Sequence, residues 1–243
     1  MKDLFSAHSA QYHTFRPSYP PELFEFIYGH VRHFDAAWDC ATGNGQAAFA
    51  LAKKFSRVCA TDISQNQLAH AALAHNIEYS TAAAEHTKFA DRSFDLIAVA
   101  QAAHWVNHDL FYYEARRVGK EGAMLALWGY GLLQTSATID CHIQEFYTKV
   151  VGPFWDTERK HIDARYRTLP FPFEEVDSPP FTFSLLWTID QLQGYLSTWS
   201  AVHKFKSANG YDPVPALIGK VRGLWHEPTQ TITFPLFLRL GKL

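Results

Sequence analysis

The sequence predicts an α/β fold: a doubly wound, mostly parallel sheet with helices on both faces. Three observations predict it. Residues 36–62 read as an apolar strand, a glycine-rich turn, a helix and a second strand, which together make one βαβ unit. Strand and helix patterns then alternate as far as Trp128, and such alternation implies parallel strands joined by right-handed crossovers. Phe94–Ala100 (FDLIAVA) is a nearly continuous apolar run between polar turns, the composition of a strand covered on both faces.

From the start of the chain, residues 5–15 form a short helix candidate, ended by Arg16-Pro17-Ser18-Tyr19-Pro20. Pro21 suits the first turn of a second helix over 22–31, with Leu23, Phe26 and Ile27 along one face. Ala36–Cys40 is too short for a helix and apolar enough for a strand, and Thr42-Gly43-Asn44-Gly45 breaks any periodicity behind it. Residues 46–55 are good helix formers, with Phe49, Ala52 and Lys53 on one side, and 57–61 returns to strand composition. Ser64-x-x-Gln67 is a capping box opening a helix over 65–75. A third strand follows over 77–82, with Ala83-Ala84-Glu85 at its carboxyl end, and Phe94–Ala100 is expected beside the first strand. Asn107 caps a helix over His108–Val118, Gly119 stops it, and Gly122 introduces a fifth strand over 123–128.

Beyond Leu132 the character changes. A helix is expected over 138–151, and residues 152–180 then crowd prolines together with Phe154, Trp155, Tyr166, Phe171 and Phe173. That stretch is too irregular for a strand–helix pair and too aromatic for a linker, so it is expected to pack over the site as a cap. Phe181–Trp187 reads as a strand, 189–200 as a helix with Leu192, Tyr195, Leu196 and Trp199 on one face, and 215–224 as another helix. Residues 231–240 form a last strand, in which Pro235 argues for an edge or a bulge.

The turn of the first unit lies at the carboxyl edge of the sheet, where open α/β sheets bind ligands. Gly43-x-Gly45-x-x-Ala48 satisfies a dinucleotide-binding pattern, with Asp62 near the usual distance for a ribose-binding carboxylate. Asp39 redirects that reading, because it closes the first strand and faces whatever lies over the glycines. A pyrophosphate is repelled by such an acid, whereas S-adenosylmethionine brings a sulfonium and an ammonium and no phosphate. On this reading Gly43 and Gly45 let the backbone approach the cofactor, and Asp62 accepts hydrogen bonds from the ribose hydroxyls. The plain alternative is that Asp39 and Asp62 cap neighbouring helices.

Gln101-Ala102-Ala103-His104-Trp105 follows the fourth strand, at the place where the reacting group is presented. His104 suits general-base work, since its reference pKa lies close to neutrality. With an ionised carboxylate as acceptor no base is needed, and His104 then orients the substrate or makes a structural hydrogen bond. Trp105 is either core or an aromatic wall near a cation. His104 and His108 have the i, i+4 spacing of a metal pair, but with no third ligand nearby no metal is expected.

The run Asp39-Cys40-Ala41-Thr42-Gly43-Asn44-Gly45-Gln46 resembles motif I of class I S-adenosylmethionine-dependent methyltransferases, an acid followed by x-Gly-x-Gly-x-Gly. Ala84-Glu85, Phe94-Asp95-Leu96-Ile97 and Gln101-Ala102-Ala103-His104-Trp105 are similar to the branch that includes trans-aconitate methyltransferase-like proteins, and the likeness runs from Phe5 to the C-terminus. Two positions depart from the pattern. Ala41 replaces the first glycine, which is expected to cost little because alanine is nearly as small; Ala83 stands where many relatives carry an acid against the adenine.

The resemblance implies a Rossmann-like sheet of seven strands, mostly parallel with an antiparallel last strand, and a helical, aromatic cap. It implies one methyltransferase domain with N-terminal helices over the site (1–34), a cofactor-binding core (35–131), a cap insertion (132–180) and closing strands and helices (181–243). It implies S-adenosyl-L-methionine as cofactor, contacted by Asp39, Ala41, Gly43, Gly45, Asp62, Ile63, Ala84, Glu85 and Gln101, with Tyr12 and Arg16 bordering the site. Arg16 pairs with the cofactor carboxylate or an acidic substrate, or else forms a surface ion pair. Methyl transfer to a small molecule is implied, an O-methylation of a carboxylate or hydroxyl, with His104, Trp105, Trp155 and Trp199 on the acceptor side. Two rival readings use the same turn: an NAD-dependent oxidoreductase, which has to accommodate Asp39, and a non-catalytic binding protein.

Composition bounds these readings. With 243 residues and a net charge of −2, the chain has room for one sizeable core and no broad basic field for nucleic acid. Cys40, Cys59 and Cys141 form no C-x-x-C and read as small core residues in a reducing compartment. No apolar run is long enough to span a bilayer, and MKDLFSAHSAQYH lacks the apolar core of a signal peptide. A cytoplasmic protein with no membrane partner is expected.

Overall fold

The computed structural model describes residues 18–243. The helix expected over 5–15, and with it Tyr12 and Arg16, lies outside the described residues. The first described helix, α1 (Pro21–Tyr28), opens at its proline and buries Leu23, Phe24 and Ile27. The alternating unit follows: β1 (Ala36–Cys40), α2 (Gln46–Leu51), β2 (Arg57–Asp62), α3 (Gln65–Leu68), β3 (Ile77–Thr81), β4 (Phe94–Ala100), α4 (His108–Val118) and β5 (Gly119–Tyr130). After these come α5 (Ala137–Glu145), α6 (Arg159–Asp163), β6 (Glu174–Val176), β7 (Phe181–Trp187), α7 (Ile189–Ser197), α8 (Ser200–Asn209), α9 (Val214–Arg222) and β8 (Gln230–Lys242).

The strands form one eight-stranded sheet in the order β3-β2-β1-β4-β5-β8-β6, with β7 also paired to β8. The ladders from β3 to β5 are parallel, and β8 runs antiparallel to β5, β6 and β7. The registers set Cys40 beside Thr61, Asp62 beside Thr81 and Ala100 beside Trp128, so the turns after β1 to β4 open along one edge. Successive strand residues face opposite sides. Ala37, Leu96 and Ala126 pack under α1 and α2, while Trp38, Ile97 and Leu125 pack with Phe111 and Ala115 of α4 on the other side. At the opposite edge, Asp95 accepts from the backbone of Asp35 and Ala36 and from Lys120, which fixes where β1 and β4 begin.

Several expectations need correcting. The eighth strand is β6, three residues inside the aromatic segment, too short to leave a periodic signal. Helix α2 stops at Leu51, and its buried face is Ala47, Ala48 and Leu51, while Phe49 is exposed. Helix α3 ends at Leu68, seven residues early. Ser64 caps it as expected, but the chain is then drawn over the glycine turn, where Ala72 N–H donates to Asn44 and the Tyr79 hydroxyl donates to Ala72. Residues 189–200 are one helix and the start of another; Thr198 Oγ1 bonds back to Tyr195, a local bond that competes with the helical ladder. Cys40 and Cys59 are buried, but Cys141 is exposed.

Pro235 sits on no edge, since β8 is paired on both sides. Its carbonyl accepts from Gly131, one residue beyond the end of β5, so its missing donor faces a strand that is already leaving the ladder. Among the described residues no helix is long and apolar enough to cross a membrane.

Candidate active site

The glycine turn begins where β1 ends. Asp39 is fully buried; Thr42 Oγ1 donates to its Oδ2, and its Oδ1 has no partner among the described residues. Burial pushes its pKa up to about 7; the Thr42 hydroxyl and the Ala48 N–H oppose that shift, and the charge of Asp62 adds to it. Asp62 fastens the turn to β2, its Oδ2 accepting from Gly43 N–H at 2.9 Å and its Oδ1 from Ser64 N–H at 2.9 Å.

Three residues of the turn have left-handed backbone: Ala41 (φ 56°), Gly43 (φ 57°) and Gly45 (φ 80°). The departure from the glycine pattern at Ala41 is therefore conformational and not a matter of size; an L side chain there costs about 1 kcal/mol. The two glycines also differ in their surroundings. A methyl group built on Gly43 would meet nothing nearer than Gln67 Oε1 at 3.9 Å, whereas one on Gly45 would overlap the Tyr79 hydroxyl and lie 3.1 Å from its Cζ. Gly43 leaves open backbone for a ligand; Gly45 is required by Tyr79. Asn44 Nδ2 is buried beside them, with no partner among the described residues.

These features provide a test of fit. A buried acid with an orphaned oxygen and an orphaned amide donor flank open backbone, so the turn favours a ligand that is cationic and carries acceptor oxygens. S-adenosylmethionine meets both conditions. A diphosphate sets its charge against Asp39.

The next strand ends supply the flanks. Ile63 lies half-buried between Asp62 and Ser64, Ala84 is buried, and Ala83 bridges to His86. Glu85 Oε1 accepts from Asn107 N–H at 2.9 Å, so this carboxylate ties the end of β3 to the segment after β4. Gln101 has left-handed backbone (φ 54°), and both ends of its amide engage the backbone of Tyr130: Tyr130 N–H donates to Oε1 at 2.7 Å and Nε2 donates to the carbonyl at 3.2 Å. The amide thereby clasps β4 onto β5.

His104 and Trp105 lie on a 3-10 turn, Ala103–Trp105. His104 is 7% exposed, with Nδ1 3.2 Å from the Tyr166 hydroxyl and Trp105 tilted over its ring at 4.6 Å. Burial, helped by the charges of Arg159 and His161, lowers its pKa to about 3. A neutral imidazole that weakly basic is a poor proton acceptor at neutral pH, so the general-base reading loses its footing. His108 opens α4 and bonds through Nε2 to Ala103, so the two histidines do not share one helix face. Among the described residues no group of three His, Cys, Asp or Glu could hold a metal.

The aromatic segment divides in two. Trp155 joins Tyr147 and Trp199, with ring centres 5.1 and 5.5 Å away, and α6 packs on the turn that carries His104. Trp199, only 3% exposed, is core and not wall. Tyr166, Phe171 and Phe173 instead join the α4 face, where Phe173 meets Tyr112 at 5.0 Å, because β6 carries the chain onto β8. Sequence reasoning missed Tyr79, Tyr147 and Arg159; the one available signal was the charged run Asp156-Thr157-Glu158-Arg159-Lys160 inside an aromatic segment.

Comparison with known proteins bears on the same residues. The family described as "Methyltransferase domain" matches residues 38–127, from β1 into β5. A Dictyostelium discoideum protein described as a methyltransferase is 36% identical over 219 residues, 88% of this chain and 83% of that protein. A structure described as a type II methyltransferase from Anaeromyxobacter dehalogenans superposes with a TM-score of 0.87 at 36% identity, covering 94% of this chain and 98% of that one. A Bacillus halodurans structure, also described as a methyltransferase, aligns at a TM-score of 0.51 and 18% identity over 92% and 99% of the two chains, a likeness of fold alone. With relatives this near extending over both turn and cap, and a turn chemically suited to a cationic nucleoside, the chain belongs to the class I methyltransferases, whose cofactor is S-adenosyl-L-methionine.

Proposed function

We propose that the protein methylates a small molecule, at a carboxylate or hydroxyl oxygen, with the donor lying over the glycine turn. The observation that carries this reading is Asp39, a buried acid with one orphaned oxygen beside open backbone at Gly43. When bound, S-adenosylmethionine supplies an electrophilic methyl carbon, and the sulfonium becomes a neutral thioether as the methyl group leaves it. Asp39 offers its charge to the cationic part of the donor. Asp62 holds Gly43 in position, and its carboxylate is the acceptor for the ribose hydroxyls. Ile63 and Ala84 are the apolar side chains offered to the nucleoside at these strand ends, and Glu85 fixes the neighbouring segment through Asn107. Ala41 sets the bend of the turn, and Gln101 keeps the carboxyl ends of β4 and β5 in register.

On the acceptor side the task is alignment and exclusion of water, which together can supply much of a methyl-transfer rate. Trp105 and Trp155 suit the walls of such a place, and neutral His104 fits an acceptor that needs no base. His104→Gln is therefore expected to keep transfer within about tenfold of wild type while lowering the melting temperature; a general base would forfeit roughly 10²- to 10⁴-fold.

Incubation with methyl-labelled S-adenosylmethionine and a metabolite extract tests the proposal. Label is expected in a low-molecular-weight ester or ether. Label confined to protein or nucleic acid, or no transfer, contradicts it.

A further inference from the structure

We propose that Arg159 is the anion-binding residue of the acceptor site, built to hold a carboxylate of the methyl acceptor; the inference rests on the methyl-transfer reading above. Arg159 opens α6, the helix that packs on the turn of His104 and Trp105. Its guanidinium carbon lies 4.7 Å from the ring centre of Trp155 and 5.4 Å from that of Tyr147. Nε donates to the Tyr147 hydroxyl at 2.8 Å, and that hydroxyl donates to Asp163 Oδ1 at 2.6 Å. Stacking and the Nε bond fix the plane of the group.

The other end of the guanidinium is open: Nη1 and Nη2 make no hydrogen bond among the described residues. Its ion pair with Asp163 is long, 3.8 Å from Nε, and the same carboxylate oxygen already accepts from Tyr147. The two other half-buried arginines among the described residues are used differently. Arg117 is filled by Glu114, Asp91 and the carbonyl of Phe89, and Arg239 by Glu175 and the carbonyls of Tyr166 and Leu169.

The side chain of Arg159 is 21% exposed, so the open fork is partly shielded yet reachable. Two parallel N–H groups on a rigid plane match the two oxygens of a carboxylate, and partial desolvation strengthens the pairing. His104 next to it is neutral and brings no competing positive charge, and the Tyr147 and Trp155 rings that hold the guanidinium offer apolar faces to the rest of an acceptor. Because a bidentate arginine withdraws charge from the carboxylate it grips, the oxygen that receives the methyl group is a different one on the same molecule.

Calorimetric titration of the full-length protein, saturated with S-adenosylhomocysteine, tests this with succinate, glutarate and citrate against uncharged succinamide. At least one acid is expected to bind the wild type, with succinamide much weaker. Arg159→Gln should weaken the acid by roughly 10- to 100-fold and Arg159→Lys by less, with S-adenosylhomocysteine affinity unchanged in both. Acid binding that survives Arg159→Gln, succinamide binding as well as succinate, or no acid binding to the wild type would each overturn the assignment. If Arg159→Gln fails to fold, Arg159→Lys and the succinate–succinamide contrast decide it. A purely structural arginine would lower the melting temperature of both variants and leave acid affinity alone. Loss of S-adenosylhomocysteine binding by the wild type would count instead against the methyl-transfer reading, which the titrations thus separate from Arg159.

Discussion

Asp39→Asn is expected to change how the stability of the ligand-free protein depends on pH, gaining on the wild type as the pH rises from about 4 to 7. Burial raises the wild-type carboxyl from its ordinary 3.8 to about 7 in the folded chain. Below that lower value both states hold the proton, and the two proteins do not differ on this account. Between the two values the unfolded chain releases its proton first, so the folded state loses ground; above 7 the full penalty stands, on the order of 4 kcal/mol. His104 works in the opposite sense over nearly the same window, because its folded pKa is lowered to about 3 and the unfolded chain takes up a proton first as pH falls. The wild-type curve alone is therefore flattened. The share of Asp39 appears in the difference between wild type and Asp39→Asn in urea unfolding at pH 5 and pH 8, and a difference independent of pH would contradict the burial and ionisation argued for this acid.

The second large effect is expected at Gly45. Gly45→Ala places a methyl group into the Tyr79 hydroxyl at a backbone angle of +80°, and Tyr79 cannot swing away while its hydroxyl is bonded to Ala72 at 2.6 Å. Left-handed strain and overpacking together should remove about 3 kcal/mol of stability. Tyr79→Phe in the same chain takes away the overlapping atom but leaves Cζ 3.1 Å and Cε1 3.2 Å from the added carbon. The double variant should recover roughly 1 kcal/mol of coupling in a double-mutant cycle. Additive losses would show that the glycine serves something other than Tyr79. Gly43→Ala bears the same kind of backbone strain without the collision, so it should be milder for stability and harsher for cofactor affinity.

Much of this was legible in the chain. β1, β4, α4 and β7 occupy the residues that the apolar runs and caps indicated, because each is bounded by a local signal: a glycine turn, a polar turn, or the Asn107 side chain that accepts from Leu110. Asp39 and Asp62 could be picked out because acids at the ends of apolar strands are conspicuous. What stayed hidden depends on partners far away in sequence. Helix α3 is cut short by bonds between Ala72, Asn44 and Tyr79; Gln101, twenty-nine residues from Tyr130, clasps its backbone; β6 exists only because β8 offers it an edge. Arg159 and Tyr147 meet across a turn of the cap, and no spacing rule connects them. Propensity reads a capping box or an apolar run well, and it is blind to which distant carbonyl a side chain will find.

The central claim is that a buried acid under the glycine turn holds a positively charged methyl donor. Calorimetric titration of wild type and Asp39→Asn with S-adenosylmethionine and with 5′-methylthioadenosine, a nucleoside thioether without the donor's charges, tests it most directly. The account predicts that Asp39→Asn weakens S-adenosylmethionine by roughly 10- to 100-fold and leaves methylthioadenosine nearly unchanged. Equal affinities of the two proteins for S-adenosylmethionine, or binding of NADH in its place, would contradict it.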